Sequence, residues 1–221
     1  MDVGKPVFGA GAAMLAMVAA SSAAAQQEAA APSPASEATA AAQATTGAAL
    51  PPDGTRDADF ATRGFLATLP DPVIRNAAGA PVWNLDAYAF VEGPAPATVN
   101  PSLWRHMRHL KHHGLYQVSQ NVWQVRGFDV SNMTVIRGST GWIVIDPLTS
   151  VETAKAALAL VNQTLGARPV SAVIYSHSHG DHFGGVRGVI DAAAVASGKV
   201  AVIAPEGFME EATSENVMAG G

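Results

Sequence analysis

Ala172-Val173-Ile174-Tyr175-Ser176-His177-Ser178-His179-Gly180-Asp181-His182-Phe183-Gly184-Gly185 is the stretch around which the rest of the chain is arranged. Its apolar start, bounded by a polar loop, reads as a buried strand. Three of the protein's seven histidines and one carboxylate follow at once, between 177 and 182. In an extended segment residues two apart point the same way. His177 and His179 can therefore converge on one ion, with nitrogens at about 2.0 to 2.1 Å if the metal is zinc. Gly180 can take backbone angles closed to other residues, which lets the chain turn and send Asp181 and His182 toward a second ion. Gly184 and Gly185 stand where a helix is expected to start, and their missing side chains would let the backbone pass close to the metals. A lone histidine in a polar loop would read as merely solvated. Four ligand side chains at this spacing on a strand end read as a metal site.

The neighbouring segments suggest how that loop is carried. Upstream, Thr149-Ser150 caps an expected helix to about Leu165, with Ala154, Ala157, Leu158, Val161 and Leu165 on one face and Gly166 at its end. Downstream come an expected helix from about Gly185 to Ala196, a buried strand Val200 to Ala204, and a last helix from about Glu206 to Met218. The order strand, helix, strand, ligand loop, helix, strand indicates an α/β layered domain with its site at the C-terminal strand ends. On the last helix Glu211 and Glu215 are one turn apart and could face a ligand, although a solvated acidic face is their ordinary reading.

Further upstream lies a run of short strands, Tyr116 to Val118, Val122 to Arg126, Met133 to Ile136 and Trp142 to Ile145, rich in β-branched and aromatic residues. Gly138-Ser139-Thr140-Gly141 reads as a hairpin turn between the last two. Before them Asn100-Pro101-Ser102 opens a helix that Gly114 ends, with Leu103, Met107 and Leu110 as its expected buried stripe. His106, His109, His112 and His113 all sit there. His109 and His113 could chelate an ion, yet no carboxylate accompanies them, and a weakly basic solvated face is the better reading. Residues 54–101 read as an N-terminal arm: a short helix from Asp59 to Leu69, extended pieces at Val73-Ile74 and Pro81-Val82-Trp83, and Trp83, Tyr88 and Phe90 as anchors.

Residues 1–25 resemble an export signal. Lys5 precedes an apolar stretch, Val7 to Ala20, that is too short to span a bilayer, and Ala23-Ala24-Ala25 offers small residues for cleavage. The expected location is periplasmic or secreted, and the mature protein is expected to hold no membrane span. From 26 to 53 the chain is Ala, Pro, Ser, Thr and Gln with almost no large apolar residue, which predicts a disordered linker. No internal repeat is present. The net charge of −5 and the lack of any long Lys/Arg run argue against nucleic-acid binding. With no cysteine there is no disulfide, thiolate ligand or catalytic thiol.

The string His177-x-His179-x-Asp181-His182, followed by Gly184-Gly185, resembles the metal signature of the metallo-β-lactamase superfamily, whose members are mostly hydrolases with one or two zinc ions. Flanking segments narrow the resemblance. Asn100-Pro101-Ser102-Leu103-Trp104, His113-Gly114-Leu115, Gln124-Val125-Arg126-Gly127-Phe128-Asp129, Asn132-Met133-Thr134, Gly141 through Thr149 and Ala204-Pro205-Glu206-Gly207-Phe208 resemble the N-terminal part of bacterial zinc-dependent alkyl sulfatases, over about residues 54 to 221. Those are exported enzymes that hydrolyse sulfate esters of long-chain alcohols.

The resemblance implies an αββα layered α/β fold, of which residues 102–221 would form the N-terminal half. It also implies two Zn2+ ions per active site, one on His177 and His179 and the other on Asp181 and His182. A long-chain alkyl sulfate would be the substrate, and the full-length protein would be a homodimer. An aspartate in the position of Asp146 commonly braces the metal loop in this fold, so Asp146 is a candidate for holding it through hydrogen bonds; a strand-ending turn is the alternative. His106 and His109 do not belong to the family pattern. Because family members continue far past this length, the expectation is a truncated chain, inactive by itself, whose remaining ligands, a glutamate and a further histidine, lie beyond Gly221. Another hydrolase on the same scaffold (thioesterase, lactamase or lactonase) and a non-catalytic metal-binding module are the rival readings.

Overall fold

The computed structural model describes residues 33–219. The expected export signal lies outside the described residues, as does the start of the expected linker. The elements are α1 (Glu37–Ala49), α2 (Thr55–Thr62), β1 (Phe65–Ala67), β2 (Val73–Arg75), β3 (Pro81–Asn84), α3 (Pro101–Leu110), β4 (Gly114–Ser119), β5 (Val122–Arg126), β6 (Met133–Arg137) and β7 (Trp142–Ile145). They continue as α4 (Val151–Leu165), β8 (Val170–Ile174), α5 (Ala192–Ala196), β9 (Ala201–Ile203) and α6 (Phe208–Ala219).

Seven strands form one sheet in the order β1-β4-β5-β6-β7-β8-β9, and β2 pairs with β3 apart from it. Neighbours from β1 to β7 run antiparallel; β7, β8 and β9 run parallel. This bears out the expected α/β class. Period-2 alternation decides which face is covered. Trp123, Val135, Val144 and Val173 lie side by side through the register of four successive strands, as do Leu115, Val125 and Met133, and all are buried. Against them α4 sets Ala154, Ala157, Leu160 and Val161. Each buried Val or Leu there stabilises the fold by about 1.5 to 3 kcal/mol. Helix α4 begins at the expected cap, the Ser150 side chain accepting from Thr153 N–H at 3.1 Å, and ends at Gly166 with φ 94°. Trp142 Nε1 donates to Asn162 Oδ1 at 2.8 Å, fixing the helix on the sheet.

Several expectations are corrected. First, the linker expected to be disordered over 26–53 contains α1. Alanine has the highest helix propensity, the Ser36 side chain accepts from Thr39 N–H at 3.1 Å, and Glu37 lies in the positive first turn, so a helix forms without any buried face. Second, the helix expected over Asp59 to Leu69 ends at Thr62, and Phe65–Ala67 joins the sheet as β1. Gly64 makes the change with φ 78°, and Gln117 N–H donates to its carbonyl at 2.7 Å. Third, the stripe expected to be buried on α3 is largely exposed, with Leu103 and Leu110 both at 54%. No residue of α3 is buried, because it packs against the short helices α1 and α2 and not on the sheet core. In the arm, Trp83 packs on the core and donates to Gly127 O at 2.9 Å, whereas Tyr88 and Phe90 are exposed; Ile74, Leu85 and Val91 are buried instead.

Fourth, the stretch expected to be a helix over 185–196 is a 3-10 turn at Val186–Gly188 followed by the short α5, which the Asp191 side chain caps. The strand expected to be buried over 200–204 is β9, whose Val202 and Ile203 are 40% and 50% exposed, because it pairs only with β8 and ends the sheet.

Candidate metal centre

The ligand loop starts where β8 stops. Its partner β7 ends at the same level, and Asp146 N–H donates to Ile174 O at 3.0 Å, continuing the ladder one residue past the end of β7. The chain then turns sharply, with Asp146 at φ 55° and Leu148 at φ 64°, a conformation that costs free energy in non-glycine residues. That turn aims the Asp146 carboxylate at the loop. Ser176 N–H donates to Oδ1 at 2.8 Å and Ser176 Oγ donates to Oδ2 at 2.7 Å.

Two further contacts hold the loop from behind. Gly185 N–H donates to Leu148 O at 2.8 Å, and a Cβ added at Gly185 would collide with the carbonyl oxygens of Pro147 and Ser150. Gly184 lies equally tight on Thr149 O. The two glycines therefore bring the backbone against the 147–150 turn, which differs from the expected approach to the metals. Gly180 has open space around it and no positive φ, so the loop turns there as a 3-10 turn, Gly180–His182, closed by His182 N–H to His179 O at 3.0 Å. On the outer side Tyr175, Phe183 and Phe208 form a triangle of rings with centroids 5.2 to 5.9 Å apart. Burial raises the pKa of the Tyr175 hydroxyl.

The four candidate ligands come together. The ring of His177 lies 4.6 Å from that of His179 and 4.0 Å from that of His182. His182 Nε2 stands 3.3 Å from Asp181 Oδ2, and His179 Nε2 stands 3.4 Å from Glu215 Oε1. Among the described residues no three such side chains are arranged to hold one ion; the donors meet in pairs. The His182–Asp181 pair nonetheless fits a metal. Two donors on one tetrahedral ion at about 2.0 to 2.2 Å lie roughly 3.3 to 3.6 Å apart, and that is the spacing of His182 and Asp181. Neutral imidazole and carboxylate also suit zinc chemically. His182 Nδ1 is 3.0 Å from Asp146 Oδ2 but without hydrogen-bond geometry, and it is buried with no other partner, so a small ring rotation on ligation would complete that contact.

Sequence reasoning missed two participants, Asp129 and Ser131, and read a third, Glu215, as more ordinarily part of a solvated face. Asp129, buried, accepts from Thr149 N–H at 3.1 Å and from the hydroxyls of Thr149 and Thr153, each at 2.6 Å. Ser131 donates to the backbone carbonyl of Asp181. Glu215 reaches His179 instead of lying on a purely solvated face. Only Glu215 carried a signal, its place on an acidic helix. His109 and His113 do not form a site: His113 is held by Thr68 Oγ1 at 2.8 Å and Asp86 Oδ1 at 3.1 Å.

Residues 126–221, which carry the ligand loop and strands β6 to β9, match the family described as the metallo-beta-lactamase superfamily. By sequence the chain is similar to alkyl sulfatases. It is 48% identical over 172 residues to the alkyl/aryl-sulfatase BDS1 of Saccharomyces cerevisiae, covering 77% of this chain and 27% of that protein. It is 50% identical over 173 residues to a linear primary-alkylsulfatase of Pseudomonas sp., covering 77% of this chain and 26% of that one. The solved structure of the stereoselective inverting sec-alkylsulfatase Pisa1 from Pseudomonas sp. superposes with a TM-score of 0.80 at 49% identity, over 85% of this chain and 30% of that chain. The chain thus spans about a quarter of the length of the two sulfatases compared by sequence.

Proposed function

We propose that the intact protein hydrolyses sulfate esters of long-chain alcohols, dodecyl sulfate among them, as a two-zinc enzyme. The observation that carries this is the meeting of His177, His179, Asp181 and His182 in one loop of a chain about half identical to named alkylsulfatases. His177 and His179 hold one ion; Asp181 and His182 hold the other. When bound, the ions supply Lewis acidity, which lowers the pKa of a water and offsets the negative charge of the sulfate as the ester bond breaks. Asp146 orients the loop through the backbone and hydroxyl of Ser176. Tyr175, Phe183 and Phe208 pack ring against ring at the loop, and Tyr175 N–H donates to Ile203 O of β9 at 2.9 Å.

The test is release of inorganic sulfate from dodecyl sulfate by the zinc-loaded intact protein, with metal content measured in parallel. Turnover of a thioester, lactam or lactone without sulfate release would replace the substrate assignment. Metal binding without any turnover would make the chain a binding module.

The alanine-rich leader supports a further reading, that the protein acts in the periplasm or outside the cell. Cell fractionation and N-terminal sequencing of the mature protein test it, and retention in the cytoplasm with Met1 intact would overturn it. Resemblance to the alkyl sulfatases supports a homodimer, which sedimentation of the intact protein tests. Among the described residues no helix is long and apolar enough to cross a membrane.

A further inference from the structure

We propose that Ser176 is a positioning residue for His177, setting its tautomer and ring orientation so that Nε2 faces the metal. This rests on the metal-site reading above and adds a residue to it.

Ser176 Oγ lies 2.7 Å from Asp146 Oδ2 and 2.8 Å from His177 Nδ1. A serine hydroxyl has one proton to donate and lone pairs with which to accept. An ionised carboxylate only accepts, so the proton in the short contact with Asp146 belongs to Ser176. The hydroxyl then has only lone pairs left for His177. Nδ1 must therefore carry the ring proton and donate it, which leaves the lone pair of a neutral imidazole on Nε2. The opposite arrangement, with Ser176 donating to Nδ1, would place two oxygens 2.7 Å apart with no proton between them.

The relay is rigid at its far end. Asp146 is held by its own turn, by its N–H on Ile174 O, and by the Ser176 N–H at 2.8 Å on its other oxygen. Swinging the hydroxyl away would give up its 2.7 Å hydrogen bond to Asp146 Oδ2. Through the same oxygen Asp146 also approaches His182 Nδ1, 3.0 Å away. One carboxylate therefore faces both halves of the cluster, His182 directly and His177 through Ser176. Groups that fix a metal-binding imidazole in this way typically account for about 10- to 100-fold in metal affinity.

The experiment compares the intact protein with its Ser176→Ala and Ser176→Thr variants. Zinc dissociation constants are measured by competition with a chromophoric chelator, and the protonated nitrogen of His177 is assigned by long-range 1H–15N correlation. Ser176→Ala is expected to weaken zinc binding about 10- to 100-fold, and Ser176→Thr, which keeps the hydroxyl, to restore it to within a few-fold. The wild type should show a protonated Nδ1 on His177. Equal affinity in the wild type and Ser176→Ala, or a His177 protonated on Nε2, would overturn the role of Ser176 while leaving the metal site standing. No zinc binding by the wild type would overturn both. If Ser176→Ala does not fold, the wild-type nitrogen assignment alone decides.

Discussion

The buried carboxylate of Asp129 accepts a hydrogen bond from the Thr153 hydroxyl at 2.6 Å, which ties the loop after β5 to the first turn of α4. The same carboxylate takes the N–H and the hydroxyl of Thr149, so a single side chain fastens the 147–150 turn on which the ligand loop rests. Asp129→Ala would strand these donors in a largely dry setting. The expected cost is about 3 kcal/mol, because bonds to a charged acceptor are worth about 1.5 to 3 kcal/mol each and do not add. Urea denaturation would measure it, and an unchanged midpoint would remove Asp129 from the support of the site.

Gly185→Ala is expected to disturb the ligand loop itself. The new methyl group meets two backbone carbonyls, Pro147 O and Ser150 O, neither of which can rotate out of the way as a side chain would. A loss of about 1 to 3 kcal/mol in stability is the usual scale for such overpacking. Weakened zinc binding should accompany it, since the loop must lift off its mount. Full affinity in this variant would mean that the loop holds its ligands without the 147–150 turn.

His179→Ala removes one donor of its ion. Sulfate release from dodecyl sulfate should be abolished and zinc content lowered, with the fold retained because His179 is exposed. Chelation of the wild type should reproduce the loss, and added zinc should reverse it in the wild type alone. Retention of zinc and of turnover by the variant would refute the ligand assignment.

The pH dependence of stability should contain a contribution from His112. Partial burial, together with the positive charge of Lys111 and then His109, holds its pKa below the ordinary histidine value, while Glu92 opposes this. The unfolded chain therefore takes up this proton first. Stability is complete above the ordinary value, about 6.5, and is lost as pH falls below it. His112→Gln is expected to flatten the decline in melting temperature between pH 7 and pH 5. The effect is small because much of the ring meets solvent. A steeper decline in the variant would reverse the sign of the argument.

Much of the fold and the core of the candidate site were legible because their signals are local. The period-2 runs of β5, β6 and β7 and the cap of α4 are decided by a few adjacent residues, as is the His177 to His182 cluster. Tertiary structure decided what local signals cannot carry. Phe65–Ala67 has a helical neighbour in sequence but finds the open edge of β4, and the hydrogen bonds there outweigh helix propensity. Leu103 and Leu110 have the right spacing for a buried stripe, yet whether a stripe is covered depends on what lies opposite it. Asp146 meets Ser176 across 30 residues and Asp129 meets Thr153 across 24, distances at which no sequence spacing holds information. The sequence by itself determined which residues could bind a metal. Only the folded chain joined Asp146 to Ser176 and brought Asp129 under the 147–150 turn, because a hydrogen bond depends on position in space and not on separation along the chain.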